Sequence, residues 1–277
     1  GYGREELADV AHAQICELPF YNTFFKTTHP PVVALSRKLS EIAPDTLNNI
    51  FYGSSGSESN DTAIRLIRHY WRLKGQPKRH IIISRKNAYH GSTIAAGSMG
   101  GMPHVHAHSY PVYDGFRHVM DPYWYGESEA GETPEAFGLR AAKTFEDEIL
   151  AVGPENVAAI AGEPVQGAGG VKIAPSTYWP EVQRIVDKYG VLLLADEVIT
   201  GFGRLGTWFA SEYYGIRPNM ITFAKAATSG YIPLSGLIID DMIVEALMAH
   251  DDDFNHGYTF SGHPVACAVA LKNIEIM

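Results

Sequence analysis

The sequence has 277 residues, of which 45% are hydrophobic and 19% are charged, and its formal net charge is −9. This composition excludes a disordered chain, and a negative charge without any block of Lys or Arg argues against nucleic acid or an anionic membrane as a partner. No apolar run reaches the about 18 residues that cross a bilayer. The two cysteines, Cys16 and Cys267, form no disulfide scaffold and favour a reducing, cytoplasmic location.

The two ends of the sequence suggest that it is a piece of a longer protein. Residue 1 is Gly, and nothing before Glu5–Glu17 resembles a signal peptide. Ala266–Met277 has helical spacing of apolar residues but no Gly, Pro or cap that would end a helix. We therefore expect residues 1–277 to form one domain that is truncated at both ends.

Hydrophobic periodicity predicts alternating helices and strands. In chain order these are a helix over Glu58–Lys74, strands over His80–Ser84 and Val157–Gly162, a helix over Thr177–Tyr189, strands over Val191–Ala195, Asn219–Ala224 and Leu237–Ile239, and a helical segment over Met242–His250. This alternation predicts an α/β fold, a mostly parallel central sheet with helices on both faces. We interpret His104–Gly131 as a long binding loop. Ligands of such sheets lie beyond the carboxyl ends of the strands, so candidate site residues follow the strands.

The first candidate is the segment GSSGSES, which precedes the Glu58–Lys74 helix. Small residues let the backbone approach an anion, and a helix N-terminus offers unpaired N–H groups and a positive dipole end. Gly56 and Ser57 are therefore placed to hold a phosphate. The alternative is a simple capping box formed by Ser55 and Glu58.

The next candidates end two predicted strands. Asp196 follows the apolar run VLLLA, where an unpaired carboxylate at the edge of a low-dielectric interior is costly and a cationic ligand atom would pair with it. Lys225 follows the strand at Asn219–Ala224, among Ala224, Ala226 and Ala227. Small apolar neighbours predict a desolvated lysine with a lowered pKa and a nucleophilic amine, whereas the alternative is an ordinary surface lysine.

Two further patterns offer other functions. Gly201, Gly203 and Gly206 match the dinucleotide fingerprint GxGxxG, which keeps an NAD-dependent oxidoreductase as an alternative. The match does not follow its strand directly, and no acid stands about 20 residues further on at a strand end. His104, His106 and His108 would share a face on a strand and could bind a metal, but no Cys or acid joins them and prolines flank them. We therefore predict no metal site.

A phosphate cradle, a buried acid and a strand-end lysine together are what an enzyme that uses pyridoxal 5'-phosphate needs. The segments GSSGSESNDTAIR, NAYHGST, GEPVQGAGGV, LLLADEVITGFGR, FAKAATSGY and YTFSGHPVA also resemble the class III pyridoxal-phosphate aminotransferases, in particular the ω-amino acid or amine:pyruvate group. The resemblance covers essentially the whole sequence. It implies the large, cofactor-binding domain of a fold type I transferase, with the C-terminal small domain absent, and a homodimer or tetramer with shared active sites.

The resemblance also implies roles around the cofactor ring. Lys225 resembles the Schiff-base lysine, and Asp196 resembles the partner of the pyridine nitrogen. Tyr89 is similar to the aromatic residue that stacks on one ring face, and Val198 to the residue that packs on the other. The remaining positions at the ring that the resemblance marks as cofactor-binding are His90, Glu163 and Gln166, the last two near its phenolic oxygen.

Further carried-over positions concern the phosphate and the substrate. Gly56 and Ser57 resemble the phosphate-holding backbone, and Thr259 resembles the hydroxyl that reaches the phosphate of the neighbouring subunit. Phe24 and Ala168 match positions that line the substrate pocket. The arginine that grips a substrate carboxylate in relatives lies outside the sequence, so the resemblance does not identify the substrate.

The sequence departs from the family's pattern at three positions. Ala226 stands where most relatives have Gly, and Ser54 and Ser59 stand where Asn and Ala are common. We expect these residues to tune the site. The resemblance implies transfer of an amino group from an amine or ω-amino acid to a keto acid, with pyruvate expected, in two half-reactions. An aminomutase or decarboxylase that uses the same Lys225 and Asp196 remains an alternative.

Overall fold

The computed structural model describes residues 1–108, 113–250 and 253–277. Within these ranges the helices are α1 (Glu5–Glu17), α2 (Pro30–Ile42), α3 (Gly56–Leu73), α4 (Ile94–Met99), α5 (Pro103–His108), α6 (Trp124–Glu127), α7 (Pro134–Val152), α8 (Tyr178–Tyr189), α9 (Ala210–Tyr214), α10 (Asp241–Met248) and α11 (Pro264–Ile276). The strands are β1 (Leu47–Gly53), β2 (Ile81–Arg85), β3 (Phe116–Val119), β4 (Val157–Gly162), β5 (Val165–Gln166), β6 (Lys172–Ile173), β7 (Leu192–Asp196), β8 (Met220–Phe223) and β9 (Ser235–Asp240).

Seven of the strands form one sheet in the order β1-β9-β8-β7-β4-β2-β3. The neighbours from β8 through β7, β4 and β2 to β3 are parallel, whereas β9 runs antiparallel to both β8 and β1. Because β1 and β8 flank β9 in the same direction, the carboxyl end of β1 lies at the same edge as those of the parallel strands. The sheet is thus mixed and mostly parallel, as predicted.

Alternation along β7 shows that both faces of the sheet are covered. Leu192 and Leu194 belong to a core cluster formed with α3, whereas Leu193 points into a second cluster formed with α7 and α8. Ala195 belongs to a third cluster, with α2 and α11. A strand that is buried on both faces has a continuous run of apolar residues, which is why VLLLA predicted a strand.

The predicted elements are found, with boundaries that differ by at most two residues. α3 has its N-cap at Ser55, and α8 ends at Gly190, whose φ of 56° suits glycine. The structure corrects the interpretation of His104–Gly131 as one long binding loop, because this range contains β3, α6 and most of α5. β3 is a short edge strand, so its four residues, FRHV, carry little apolar signal. Ser109–Val112 lie outside the described residues.

No helix among the described residues is long and apolar enough to span a membrane.

Candidate active site

A cavity of about 370 Å³ lies at the carboxyl ends of the central strands. Gly56 and Ser57 border it from α3, which follows β1, and Glu163 follows β4. Asp196 ends β7, and Lys225 follows β8. The structure therefore brings together eight of the residues that the sequence predicted, namely Gly56, Ser57, Tyr89, His90, Glu163, Asp196, Val198 and Lys225.

The N-terminus of α3 forms one wall of this cavity. Ser55 Oγ accepts a hydrogen bond from Glu58 N (3.2 Å), and Glu58 Oε2 accepts one from Ser54 N (2.6 Å). Ser55 therefore caps the helix, but the predicted capping box is only half formed, because Glu58 bonds to Ser54 N and not to Ser55 N. This cap is compatible with an anion site, because N–H groups of the first helical turn have no acceptor within the helix. A Cβ on Gly56 would lie 3.0 Å from Val198 Cγ2, so glycine lets this helix end approach Val198.

The loop that carries Tyr89 is tied to the same helix end. Ser57 Oγ accepts a hydrogen bond from Ser92 N (3.0 Å), and Gly91, with a φ of 141°, lies against Ser57. On the other side, Tyr89 N donates to Glu163 Oε1 (3.0 Å). These bonds hold the half-buried Tyr89 between the N-terminus of α3, which is the candidate phosphate site, and the end of β4.

Asp196 is almost fully buried and has a dense set of donors. Its Oδ2 accepts hydrogen bonds from His90 Nδ1 (2.7 Å) and Asn60 Nδ2 (2.8 Å), and its Oδ1 accepts one from Val198 N (3.2 Å). Burial alone would raise the pKa of Asp196, but the hydrogen bond and charge of His90, together with Asn60, hold that pKa below its usual value. The carboxylate therefore stays ionised at neutral pH at the cavity wall.

Glu163 and Gln166 are three residues apart in the chain, and only Glu163 lines the cavity. Glu163 borders the cavity, and its Oε2 accepts a hydrogen bond from Gly167 N (2.9 Å); burial raises its pKa. Gln166 is buried behind it and does not line the cavity. Gln166 Nε2 donates to Lys86 O (3.1 Å), and its Oε1 has no partner among the described residues.

Lys225 differs from its prediction in one respect. Its side chain is exposed, so the three neighbouring alanines do not desolvate it; their methyl groups are too short to cover a lysine. No hydrogen bond or ion pair engages its Nζ within the described part of the chain. Its backbone has a φ of 37°, a left-handed conformation that is strained for a residue with a side chain. Such strain is concentrated at functional sites.

Apart from Gln166, three predicted residues lie outside the cavity. Phe24 lines a separate cavity of about 410 Å³ together with Tyr52 and His256. Ala168 is exposed in the turn between β5 and β6. Thr259 is exposed as well, on a loop that is anchored on either side of it, since Tyr258 N donates to Ser261 Oγ and Ser261 Oγ donates to Tyr52 O.

The alternative motifs do not form the sites that they suggested. His104, His106 and His108 lie on α5, not on a strand, so residues two apart point in different directions, and no group of potential metal ligands occurs among the described residues. Gly201, Gly203 and Gly206 lie in turns between β7 and α9 and do not border the cavity. That loop is held by Glu197, which accepts hydrogen bonds from Thr200, Ala210 and Ser211.

Asn60 is a cavity residue that the sequence reasoning missed. Its Nδ2 donates both to Asp196 Oδ2 and to His90 O (2.6 Å), so it joins α3 to the Tyr89 loop and to β7. It follows Gly56 by four residues and therefore lies on the same helix face, which is the signal that could have identified it.

Comparisons with known proteins agree with this geometry. The profile described as "Aminotransferase class-III" matches residues 1–277. The chain is 53% identical over 277 residues to a putrescine–pyruvate aminotransferase of Pseudomonas aeruginosa, covering all of this chain and 60% of that protein. It is 42% identical over 282 residues to a diaminobutyrate–2-oxoglutarate transaminase of Halomonas elongata, with the same coverage.

A solved (S)-enantioselective ω-transaminase of Thermomicrobium roseum superposes with a TM-score of 0.96 at 48% identity, over all of this chain and 61% of that one. The chain thus spans about 60% of the length of the relatives that it matches. The predicted fold is confirmed, and the nicotinamide alternative, which no site geometry supports, is set aside. The chain belongs to the class III aminotransferase family.

Proposed function

We propose that the protein is a transaminase that uses pyridoxal 5'-phosphate and moves an amino group from an amine or ω-amino acid to a keto acid. The observation that carries this proposal is the convergence of the α3 N-terminus, Asp196 and Lys225 on one cavity. These groups come from elements that are separated by about 140 and 30 residues in the sequence. A helix end that could hold a phosphate, an ionised acid and a lysine amine fit pyridoxal 5'-phosphate and do not fit a nucleotide.

The residues present fit that cofactor. The helix end at Gly56 and Ser57 favours a phosphate dianion. Asp196, whose pKa is lowered, faces the cavity as a carboxylate and would stabilise a protonated pyridine nitrogen. The cofactor supplies, when bound, an electron sink for negative charge on the carbon that bears the amine.

The chain's own residues would do the remaining work. Lys225 Nζ has no competing partner among the described residues, so it is available to hold the cofactor covalently. The same amine would also be placed to accept and return the proton of the amine-bearing carbon of the donor. Tyr89 and Val198 would hold the ring between them, and Glu163 would lie near its oxygen, with Gln166 behind it.

We also propose a homodimer with shared sites, in which the exposed Thr259 reaches the phosphate of the neighbouring subunit. The anchored loop supports this role, because it presents the hydroxyl to solvent at a fixed place. Phe24 and Ala168, which lie outside this chain's cavity, would then line the substrate pocket of the assembly. In this proposal residues 1–277 form the large domain, and the cytoplasmic location expected from the two free cysteines stays a prediction.

The shared site can be tested by mixing two inactive variants, Lys225→Ala and Thr259→Arg. A mixed dimer has one site in which an intact Lys225 meets an intact Thr259 from the other subunit. We expect partial recovery of activity on mixing. No recovery despite demonstrated subunit exchange would contradict the role of Thr259 across the interface. Thr259→Ala should weaken cofactor binding about tenfold or more, as loss of one charge-assisted hydrogen bond predicts.

The activity is tested by incubating the purified protein with pyridoxal phosphate, pyruvate and an amine, starting with putrescine, and measuring alanine. Lys225→Ala should reduce turnover by several orders of magnitude, whereas Lys143→Ala, which changes an exposed lysine of α7, should not. Near-normal alanine formation by Lys225→Ala would contradict the proposal. Release of carbon dioxide or a rearranged amine without alanine would instead indicate a decarboxylase or an aminomutase.

A further inference from the structure

The short turn that begins at Lys225 is strained at both ends. It forms one 3-10 turn over Lys225–Thr228 and is followed by Ser229, and φ is 37° at Lys225 and 50° at Ser229. Ala227 N donates to Ala224 O (3.0 Å), and Ser229 N donates to Ala226 O (3.1 Å). Two left-handed non-glycine residues within five positions persist only where surrounding contacts hold them.

Asn273, on α11, supplies such contacts. Its side chain is buried, with 4% of its surface exposed. Its Nδ2 donates to Ala226 O (2.8 Å) and to Ala227 O (3.1 Å), and its Oδ1 accepts a hydrogen bond from Ser229 Oγ (2.8 Å). All three bonds of this amide therefore go to the one turn that carries Lys225.

The helix that carries Asn273 is a firm support. Cys267, Ala270 and Ile274 of α11 belong to the buried core that α11 forms with α2 and with Phe223 of β8. The turn is thus fixed between the end of β8 and a packed helix. The bonds from Asn273 to the carbonyl groups of Ala226 and Ala227 oppose a change of backbone conformation in this turn.

We infer that Asn273 is a positioning residue that directs Lys225 into the cavity by fixing the backbone of its turn. The inference rests on the proposed function, because it gives Lys225 the covalent role. Asn273 itself does not border the cavity. Without the Asn273 side chain, the carbonyl groups of Ala226 and Ala227 lose their donor, and the turn can adopt other conformations. The Lys225 amine would then be directed at the cofactor for a smaller fraction of the time.

Hydrogen exchange and covalent trapping test this inference together. Exchange is measured on the cofactor-free protein, for the peptide that contains residues 225–230. Trapping is measured by adding pyridoxal phosphate, reducing with borohydride and following the rate at which Lys225 is labelled. Asn273→Leu removes all three bonds at similar volume, and Ser229→Ala removes one. Ile274→Ala is the control, since it weakens α11 packing without a bond to the turn.

We expect Asn273→Leu to raise exchange at residues 225–230 about tenfold, with β7 unchanged, and to slow labelling of Lys225 by a similar factor. Ser229→Ala should give a smaller change in the same direction and carries the test if Asn273→Leu does not fold. Equal changes in Ile274→Ala, or parent-like exchange and labelling in both test variants, would overturn the inference. Failure of the parent itself to label at Lys225 would instead contradict the proposed function.

Discussion

Replacing Gly91 by alanine probes how closely the Tyr89 loop packs on the N-terminal end of α3. Gly91 has a φ of 141°, which only glycine adopts without strain, and an added Cβ would lie 2.6 Å from Ser57 Oγ and 2.9 Å from Ser57 Cα. The backbone conformation costs about 1–3 kcal/mol and the overpacking another about 1–3 kcal/mol. We therefore expect Gly91→Ala to lower the free energy of unfolding by about 2–6 kcal/mol.

Gly170→Ala is the matched control for this experiment. Gly170 also has a positive φ, 114°, but a Cβ there would meet only Lys172 Cε, at 3.9 Å. Urea unfolding of both variants without cofactor separates the backbone cost, which they share, from the clash, which only Gly91→Ala has. If Gly91→Ala were no less stable than Gly170→Ala, the close packing of Gly91 on Ser57 would be wrong.

Three other changes test the buried acids. His90→Phe removes a donor to Asp196, so the pKa of Asp196 rises towards its unfolded value of 3.8. Urea unfolding at pH 7 should show a loss of about 1.5–3 kcal/mol. Because the pKa of Asp196 in the folded parent is below 3.8, this loss should shrink only as pH falls below 3.8 and protonates the parent's carboxylate, and a loss independent of pH would refute the pairing. Asp196→Asn should retain the cofactor but slow proton removal from the donor, and a parent-like rate would contradict its role. Burial raises the pKa of Glu197, so the protonated carboxyl stabilises the fold below the unfolded-state pKa, and this stabilisation is lost as pH rises through the folded-state pKa. The free energy of unfolding of Glu197→Gln should therefore fall less than the parent's between about pH 4.5 and 7. An equal fall in both proteins would contradict the raised pKa of Glu197.

The central strands and the site residues Gly56, Asp196 and Lys225 could be predicted because each leaves a local signal, whereas the other site residues were carried over from the family resemblance. β7 is a continuous apolar run that ends in an acid, and α3 begins at small residues with its own cap. The convergence of Asp196, Lys225 and Gly56 then follows from the rule that ligands lie beyond the carboxyl ends of parallel strands. The edge strand β3 was missed because it is short and its pattern is half polar.

The remaining features depend on contacts between distant residues, which one sequence does not show. Asn60 bonds to Asp196 across 136 positions, and Asn273 bonds to Ala226 across 47. The exposure of Lys225 was mispredicted for a related reason, since small neighbours in the chain do not determine what covers a side chain in space. His104, His106 and His108 were considered on a strand, but Pro103 begins the helix α5, where a proline is well tolerated.

The central claim is that Lys225 holds pyridoxal phosphate covalently. The most direct measurement is peptide mapping of the purified protein after it has been loaded with pyridoxal phosphate and reduced with borohydride. The account predicts one phosphopyridoxyl label per chain, on the peptide that contains Lys225, and its loss in Lys225→Ala. A label on another lysine, or no label on a protein that binds the cofactor, would contradict the account.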